Sequence, residues 1–423
     1  MPAKEAKVVS AHSASDGAKP RFFVGHGQAS RLTPTVALLT GGQDKPYALG
    51  LGTALASKGV GMDFIGSDDV DGPELHGRRE IRYLNLRGCQ RRDAGVPTKI
   101  LRVLKYYLRL LAYAVTARPA VFHILWNDKL EIFDRVALTA YYRLLGRRVV
   151  FTAHNVNALK RDSKDSFLNR LSLRIQYSLV HRIFVHTQRM KEELITDFAV
   201  PATKIVVIPF GINNTLPSTA LTAQQARDAL GLDQDMKVML FFGRVVPYKG
   251  LEHLIAALGE LRKRDENYRL LIAGPTEPGD GYWQRIQETI ERTGTSSSII
   301  EHIGFIPDEK VELYFKAADV VVLPYVDIFQ SGVLFLGYSF GLPAIATDVG
   351  SLKEDVVEGR TGFVCGPRDP VALAACVHRY FNSDLFHNLK DRRQEIRRYA
   401  NERYSWAKVA DLTKQVYTEL TRI

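Results

Sequence analysis

Short apolar runs that end at glycine recur along this chain and predict buried parallel strands. The first, at 35–40, stops at Gly41-Gly42 and is followed by a helical stretch near 47–57 and a strand at 60–65. Strand, glycine turn, helix and strand make the beginning of a βαβ unit. Further strand candidates, each followed by room for a helix, lie at 120–125, 148–152, 182–185 and 204–208. The first half is therefore predicted to be α/β with a parallel sheet.

The same pattern restarts in the second half. A strand at 237–242 ends in Gly243, and a helix is predicted at 251–264. The remaining strand candidates lie at 268–273, 298–302, 320–323, 344–346 and 362–364. Residues 212–235 carry turn-forming Asn, Pro and Ser and are the best linker candidate. Two such halves predict two Rossmann-like domains that face a cleft.

These patterns divide the chain into four parts. Residues 1–34 lack periodicity and are expected to be a disordered tail. Residues 35–212 are expected to form the first domain and 213–404 the second. Residues 405–423 are expected to form a helix that packs back on the first domain.

Composition narrows the class of protein. With 423 residues, 46% of them apolar and 24% charged, the chain is globular and large enough for two or three domains. Cys89, Cys365 and Cys376 are too few and too scattered for a disulfide framework or a cysteine-based zinc site, and they fit a reducing cytosol. We expect no membrane-spanning segment and no signal peptide, because no apolar run has the required length.

An excess of 57 Lys and Arg over 46 Asp and Glu points to an anionic partner: nucleic acid, a membrane surface or a phosphorylated substrate. Part of this excess lies on a predicted helix at 99–111, where Arg102, Lys105 and Arg109 share one face beside an apolar face. That apolar face consists of Leu101, Leu104, Leu108 and Leu111. The pattern fits a membrane-surface helix or a core-packed one. Arginines at 78, 79, 82, 87, 91 and 92 favour the membrane, and no nucleic-acid-binding motif accompanies the charge.

Two segments suggest phosphate chemistry. The loop at 243–250 follows a strand, precedes a helix and presents Arg244 and Lys249, a pair of cations suited to a diphosphate. A solvated basic turn is the alternative. Ser331, at the start of a helix that should stop at Gly341, would leave the amides of Gly332 and Val333 open to an anion. An ordinary capped core helix is the alternative there.

Taken together, these segments resemble a known family. The chain carries, in order, the loop at 243–250, Leu271-Ile272-Ala273-Gly274-Pro275, Gly304-Phe305-Ile306, Ala318-Asp319, Leu323-Pro324, Gly341-Leu342-Pro343, Ala346-Thr347-Asp348-Val349-Gly350 and Glu358-Gly359-Arg360-Thr361-Gly362-Phe363. The first half carries Gly41-Gly42, Thr152-Ala153-His154-Asn155-Val156, Val185-His186-Thr187 and Ile208-Pro209-Phe210-Gly211. This ordered set, which covers about 35–418, resembles the retaining glycosyltransferases of the GT4 type, which have the GT-B fold.

The resemblance implies roles for individual residues. Arg244 and Lys249 would neutralise the donor diphosphate, with Ser331, Gly332 and Val333 forming an amide cradle for the same phosphates. The remaining implied positions are Phe305 and Ile306 for the nucleotide base, Gly41 and Gly42 for the loop at which donor and acceptor approach, and His154 beside the donor sugar.

The chain departs from the family at one pair of positions. The two glutamates that the family usually carries around the helix at 331–341 are replaced by Ile328 and Leu336. Asp327 and Gln330 lie close by and are candidates to replace the first glutamate. Asp69-Val70-Asp71 is formally an Asp-x-Asp metal motif, but its neighbours Ser67, Asp68 and Gly72 predict a turn. No metal or other cofactor is therefore expected.

The resemblance implies a metal-independent hexosyltransferase that uses a UDP- or GDP-sugar and a lipid-linked or saccharide acceptor. It implies that the first domain, 35–212, binds the acceptor and that the second, 213–404, binds the nucleotide sugar. It further implies bacterial cell-surface polysaccharide or exopolysaccharide synthesis at the cytoplasmic face of the membrane. One alternative is a degenerate nucleotide-sugar-binding partner of another transferase. A nicotinamide dehydrogenase is another, but Gly41-Gly42 and Gly50-Leu51-Gly52 do not give the Gly-x-Gly-x-x-Gly spacing.

Overall fold

The computed structural model describes residues 35–41, 44–90, 95–161, 165–212, 218–277, 279 and 281–422. The predicted tail at 1–34 and Gly42 lie outside the described residues. Two lobes, each built on a parallel sheet, make up the described chain.

The first lobe holds a seven-stranded sheet in the order β3-β2-β1-β4-β5-β6-β7. Its strands are β1 Val36–Leu39, β2 Met62–Gly66, β3 Ile81–Asn85, β4 Val121–Ile124, β5 Arg148–Thr152, β6 Arg182–Val185 and β7 Ile205–Val207. Its helices are α1 Lys45–Ser57, α2 Val96–Thr116, α3 Glu131–Phe133, α4 Thr139–Leu144, α5 Ala158–Arg161, α6 Phe167–Leu179 and α7 Gln188–Phe198. A π-helical segment, Asp134–Leu138, joins α3 to α4, and 3₁₀ turns lie at Pro73–Leu75 and Ala202–Lys204.

The second lobe holds a six-stranded sheet in the order β10-β9-β8-β11-β12-β13. Its strands are β8 Lys237–Phe242, β9 Tyr268–Gly274, β10 Ile299–Ile303, β11 Val320–Leu323, β12 Ala344–Thr347 and β13 Gly362–Cys365. Its helices are α8 Ala223–Ala229, α9 Leu251–Arg262, α10 Tyr282–Thr293, α11 Asp308–Ala317, α12 Gly332–Ser339, α13 Leu352–Asp355, α14 Pro370–Phe381, α15 Asp384–His387 and α16 Leu389–Tyr404. Further 3₁₀ turns lie at Pro247–Lys249 and Ser296–Ser298.

The strand order places the crevices of the two sheets. In each sheet the chain first extends to one side of the opening strand and then crosses to the other side, between β1 and β4 and between β8 and β11. Ligands of open α/β sheets bind at such a switch point, outside the carboxyl ends of the strands. The loops that follow these four strands are therefore the natural walls of a site. The two parallel sheets confirm the predicted α/β fold class.

The last helix, α17 Trp406–Thr421, leaves the second lobe and packs on the first. Its Val409, Val416 and Leu420 are buried in the same core as β1, β2 and α1. Trp406 lies so close to Gly50 and Gly211 that a Cβ on either glycine would come within 2.2 or 2.4 Å of the indole. Both positions therefore require glycine.

The strand β3 was not predicted, and its discovery corrects the interpretation of the arginines around it. Arg82 lies on β3, and its Nε and Nη2 donate to the buried carboxylate of Asp63 at 2.7 and 2.5 Å. The side chain of Arg87 is 10% exposed and pairs with Asp128 at 2.9 Å. Each of these two arginines is paired with a carboxylate, so neither adds net charge to a membrane-facing surface. Arg91 and Arg92 lie outside the described residues.

The predicted linker at 212–235 is also corrected in part. From residue 218 onward this stretch belongs to the second lobe, because Nη2 of Arg227, on α8, donates to both carboxylate oxygens of Asp319 at 2.8 Å. Residues 213–217 lie outside the described part of the chain.

Candidate functional site

A cleft of about 480 Å³ opens between the two lobes at the carboxyl ends of their strands. From the second lobe its walls include Arg244, Lys249, Gln330, Ser331, Gly332 and Val333. From the first lobe they include Asp44, Tyr47, Trp126, His154 and Asn155, and α17 contributes Trp406. Seven of the sequence-predicted site residues, which are Arg244, Lys249, His154, Gln330, Ser331, Gly332 and Val333, therefore share one cavity.

Lys249 is held under the end of β8 by a glycine turn. Gly243 has φ +91°, and a Cβ there would lie 2.8 Å from Lys249 Nζ, so this turn requires glycine. Lys249 is 7% exposed, and its Nζ donates to the Phe242 carbonyl at 3.3 Å. Burial, followed by the nearby charge of Arg244, lowers the pKa of Lys249 to about 7. Both causes disfavour the charged form of Lys249, and a phosphate beside it would supply the negative charge that stabilises the ammonium.

Arg244 occupies the mouth of the cleft. Its side chain is 63% exposed and donates to Glu277 at 2.9 Å. An exposed pair of this kind contributes little to stability, so the guanidinium is available to exchange Glu277 for a stronger anion. Sequence analysis did not identify Glu277, because its pairing with Arg244 across 33 residues is visible only in the fold.

The amide cradle lies at the beginning of α12. The helix starts at Gly332, and the first amides of a helix have no intrahelical acceptor. Ser331 occupies the N-cap position as predicted, but its hydroxyl donates to the Tyr325 hydroxyl at 3.3 Å and makes no capping bond. The amides of Gly332 and Val333 thus face the cleft at the positive end of the helix dipole.

The residues that replace the glutamate pair line the same cleft. Ile328 and Leu336 present apolar side chains there, while Gln330 presents an amide. The carboxylate of Asp355, which lies near Gln330, is buried and accepts hydrogen bonds from the hydroxyls of Ser351 and Tyr404 at 2.8 Å each. The Oε1 atom of Gln330 is buried and has no partner within the described residues. Asp327 instead lines a separate pocket of about 450 Å³ beside α7.

His154 stacks on Trp126 with ring centroids 4.2 Å apart and planes 3° apart, and Tyr47 meets it edge-on at 4.6 Å. Its Nδ1 lies 3.1 Å from Nε2 of His186, whose own Nδ1 lies 3.4 Å from the Ile208 carbonyl oxygen. Sequence analysis assigned no function to Trp126 and His186, which lie near His154 only because the strands before them are neighbours.

These contacts fix which nitrogen of His154 carries the proton. The Ile208 carbonyl only accepts, so His186 carries its proton on Nδ1 and accepts at Nε2. His154 must then donate from Nδ1, which leaves Nε2 as an acceptor that is buried and without a partner in the described chain. Burial, and then the neighbouring His186, lowers the pKa of His154 well below its usual value. His154, which lines the cleft, is therefore a neutral imidazole whose Nε2 can accept a hydrogen bond.

Gly41 lies two residues after β1 and has φ +60°, and a Cβ there would lie 2.8 Å from the Trp126 carbonyl oxygen. Arg87 donates to the Gly41 carbonyl and to Asp128, so this loop is anchored to the sheet edge. Gly42, its predicted partner, lies outside the described residues. Asp44, which sequence analysis did not single out, lines the cleft and caps α1 by accepting the Tyr47 amide at 3.1 Å.

Phe305 and Ile306 do not line the cleft as the structure describes it. Phe305 follows β10 and is 80% exposed, while Ile306 packs partly against the core of the second lobe. Their predicted role at the nucleotide base therefore stays a prediction.

Asp69 and Asp71 lie in a hydrogen-bonded turn after β2, where the Val70 amide bonds to the Ser67 carbonyl at 3.1 Å. Across the described ranges, no group of three or more His, Cys, Asp or Glu side chains is arranged to hold a metal ion. None of the described helices has both the length and the apolar character needed to cross a membrane.

Comparison with known proteins agrees with this arrangement. The family profile of the glycosyl transferases group 1 matches residues 236–383, and that of glycosyltransferase family 4 matches 45–216. The chain belongs to the group 1 glycosyltransferases, of the GT4 type. This confirms the predicted family, with one profile covering the six strands of the second lobe and the other covering β2 to β7 of the first.

Two relatives and two solved structures are similar to this glycosyltransferase. A D-inositol 3-phosphate glycosyltransferase of Corynebacterium efficiens is 27% identical over 89% of this chain and 90% of its own. That of Corynebacterium diphtheriae is 28% identical, over 64% of both chains, so the match spans less than two thirds of that relative. Sucrose-phosphate synthase from Thermosynechococcus elongatus superposes with a TM-score of 0.72, at 20% identity over 92% of this chain and all of that one. HepE from Anabaena, in complex with UDP-glucose, has a TM-score of 0.66 at 17% identity, over 92% of this chain and 99% of that one. These structures confirm the GT-B fold.

Proposed function

We propose that this glycosyltransferase moves a sugar from a nucleotide diphosphate sugar to a lipid-linked or saccharide acceptor, with retention of configuration and without a metal ion. The proposal rests on one observation. Arg244, Lys249 and the first amides of α12 line the same cleft as the neutral acceptor His154. Three sources of positive potential on one wall suit a diphosphate, and a buried acceptor on the other lobe suits a sugar hydroxyl.

The chemistry follows from the charge that develops. As the bond from the anomeric carbon to the phosphate oxygen breaks, negative charge grows on the departing diphosphate. Lys249, Arg244 and the amides of Gly332 and Val333 would stabilise it in place of a divalent ion. In same-face attack, the acceptor oxygen bonds to the anomeric carbon on the side the phosphate leaves, and a phosphate oxygen takes its proton. Asp44, the one acid among the described lining residues, already caps α1.

The HepE complex supports testing UDP-glucose first as the donor, since that protein was crystallised with it and shares the fold. The two relatives are named as D-inositol 3-phosphate glycosyltransferases, so phosphorylated and polyol acceptors belong in any screen. A thermal-shift screen against UDP, GDP, TDP and their sugars identifies the donor, because a ligand at about 100 times its Kd adds about 2.7 kcal/mol of stability.

The decisive test is turnover by Lys249→Ala. Loss of one preorganised group that stabilises transition-state charge lowers kcat by about 10² to 10³, while thermal stability should not fall, since Lys249 is buried without a compensating anion. Lys249→Arg should recover part of the activity, because the charge returns in a different shape. Lys263→Ala, at an exposed lysine beyond α9, is the control. Near-wild-type kcat in Lys249→Ala would remove this loop from the active site.

A degenerate copy that binds a nucleotide sugar without turnover is the second candidate. The observation that favours it is the pair of apolar side chains, Ile328 and Leu336, on the cleft wall. Such a protein would give a thermal shift with the donor, yet it would release no nucleoside diphosphate when an acceptor is supplied. Release that depends on both substrates excludes it.

We further propose that the protein works at the inner, cytoplasmic face of a bacterial membrane, in cell-surface polysaccharide or exopolysaccharide synthesis. The support is α2, which carries Lys99, Arg102, Lys105 and Arg109 and no acid along its 21 residues. Its Leu101, Leu104 and Leu108 are 65%, 54% and 67% exposed, whereas a core-packed helix would bury them. Each cation near an anionic leaflet contributes about 1 kcal/mol.

Sedimentation with anionic phosphatidylglycerol vesicles tests this proposal. The triple Gln variant at Arg102, Lys105 and Arg109 should bind such vesicles at least tenfold more weakly than wild type, with an unchanged Kd for the donor. The matched control removes three exposed cations of α16, namely Lys390, Arg397 and Arg398. Equal losses in both variants would show a nonspecific effect of net charge and refute a docking role for α2.

A further inference from the structure

The wall of the cleft beside the amide cradle is apolar. Ile328, Val333 and Leu336 line the cleft, and Ile328 and Leu336 are each 9% exposed. Leu336 follows Gly332, the first residue of α12, by one helical turn. Because helical side chains tilt toward the N-terminus of their helix, Leu336 covers the turn whose amides form the cradle. A group next to a phosphate in the cradle would therefore contact an apolar surface.

The backbone that carries Ile328 is fixed relative to the phosphate-binding loop. Gly350 packs so closely against it that a Cβ on this glycine would lie 2.0 Å from the Ile328 carbonyl oxygen. The Val326 amide donates to the Tyr248 carbonyl at 2.9 Å and so joins this segment to the loop that carries Lys249. A donor whose diphosphate is held by Lys249 would thus meet Ile328 in a defined position, without a cost for ordering the wall on binding.

Polar side chains of the same segment are directed elsewhere. The Ser331 hydroxyl donates to that of Tyr325 at 3.3 Å, and these two residues are only 2% and 1% exposed. Asp327 lines the pocket beside α7 instead of the cleft. A donor hydroxyl placed against Ile328 or Leu336 would lose its water without gaining a hydrogen bond from that side chain, which is unfavourable.

This wall bears on the donor because a nucleotide sugar has a ring on each side of its diphosphate. One ring is the ribose of the nucleotide and the other is the transferred sugar. An apolar surface beside the phosphates suits a ring that carries hydrogen or a methyl group where common donors carry a hydroxyl group. Apolar pockets reject an added hydroxyl by at most about 10²-fold, so the expected effect is a preference and not an absolute exclusion.

We propose that Ile328 and Leu336 select a deoxygenated donor, in which one of the two rings next to the diphosphate lacks a hydroxyl group. The inference rests on the glycosyl transfer proposed above and specifies its donor. The deoxygenated ring is either the ribose or the transferred sugar, and separate arms of the experiment distinguish these two sources.

The test is titration calorimetry on the intact protein. One arm compares UDP and GDP with their 2′-deoxyribose forms. The other compares UDP-glucose and GDP-mannose with the monodeoxy forms of each hexose, including the 6-deoxy form. At least one deoxy compound should bind about tenfold or more tightly than its hydroxylated parent. A preference in the first arm assigns the ribose, and one in the second arm assigns the transferred sugar.

Two variants place a hydrogen-bonding group on the wall without adding charge. Leu336→Gln or Ile328→Gln, whichever lies against the missing hydroxyl, should reduce the preference for the deoxy compound by about tenfold or more. Val371→Gln, at a 69% exposed residue of α14, is the matched control and should keep the wild-type preference. The Kd for inorganic diphosphate should be the same in all three variants as in wild type, which would show that each has folded with its phosphate contacts intact.

The outcomes are distinct. If wild type binds every hydroxylated parent at least as tightly as its deoxy forms, the inference is overturned. It is also overturned if neither Gln variant reduces the preference, since the selecting group then lies elsewhere. The comparison within wild type needs no variant, so a Gln variant that fails to fold does not remove the test. Failure of wild type to bind any of these nucleotides would instead overturn the proposed function.

Discussion

Lys249 makes donor binding depend on pH in a direction that the structure specifies. Because its pKa is lowered to about 7 in the folded protein and stands near 10.5 in an unfolded chain, the unfolded state holds the extra proton between these values. Stability therefore rises with pH through that window. Below about pH 7 the buried ammonium destabilises the folded protein by its full amount, about 5 kcal/mol.

A bound diphosphate favours the protonated form of Lys249 in the folded protein, because it places an anion beside the ammonium. Donor affinity should be constant below about pH 7 and fall nearly tenfold per pH unit above it, which amounts to about 30-fold between pH 6 and 8.5. The donor should be a sugar nucleotide such as UDP-glucose, because its diphosphate diester stays fully ionised over this range. Titration calorimetry in buffers of different ionisation enthalpy should detect uptake of nearly one proton at pH 8.5.

Two variants isolate the lysine. Lys249→Met should bind the donor more weakly, with no pH dependence, and should be more stable than wild type below pH 7 because no buried charge remains. Lys249→Arg should also lose the pH dependence, since a guanidinium stays protonated. Lys263→Met, at an exposed lysine, should keep the wild-type profile. A flat profile in wild type, or the wild-type slope in Lys249→Met, would refute the reasoning.

Three further predictions concern the rest of the cleft. Asp44→Asn should keep kcat within about tenfold of wild type, because Asn caps a helix as well as Asp does; loss of all turnover, or a trapped glycosyl-enzyme, would make Asp44 a nucleophile. Activity should survive excess EDTA, and the double Ala variant at Asp69 and Asp71 should match wild type; inactivation reversed by Mn²⁺ would contradict metal independence. His186→Phe should free the His154 ring to change its protonated nitrogen, and kcat should fall about tenfold or more at unchanged melting temperature; a parallel fall in stability would mark His186 as merely structural.

Strands that are buried on both faces could be predicted to the residue. β5, β6, β8 and β11 begin and end where the apolar runs do, because a parallel strand covered by helices needs apolar side chains in both directions. β3 escaped prediction because it is an edge strand whose Arg82 is neutralised by Asp63 on its neighbour. That pairing depends on the register between two strands, which the local sequence does not show.

Some parts of the candidate site could likewise be predicted from the sequence, and others could not. The loop with Arg244 and Lys249 and the start of α12 follow β8 and β11, which are neighbours at a switch point, so a sequence that predicts the topology also predicts that they meet. The contact of His154 with His186 depends on where the two rings lie at the ends of neighbouring strands, and no local pattern in the sequence predicts it. Asp327 and Gln330 both lie just before α12, yet Gln330 lines the donor cleft and Asp327 the pocket beside α7.

Because α17 packs on the first lobe, the core of that lobe depends on the last residues of the chain to be synthesised. His123 at the centre of β4 is fully buried and is satisfied by Tyr417 at 2.6 Å and by Thr152 at 2.7 Å. Until Tyr417 has emerged from the exit tunnel, that imidazole and the apolar surface later covered by α17 face solvent. The core of the first lobe is therefore complete only after the carboxyl-terminal helix has been synthesised. A chain without its last twenty residues would leave that core without Val409, Val416 and Leu420.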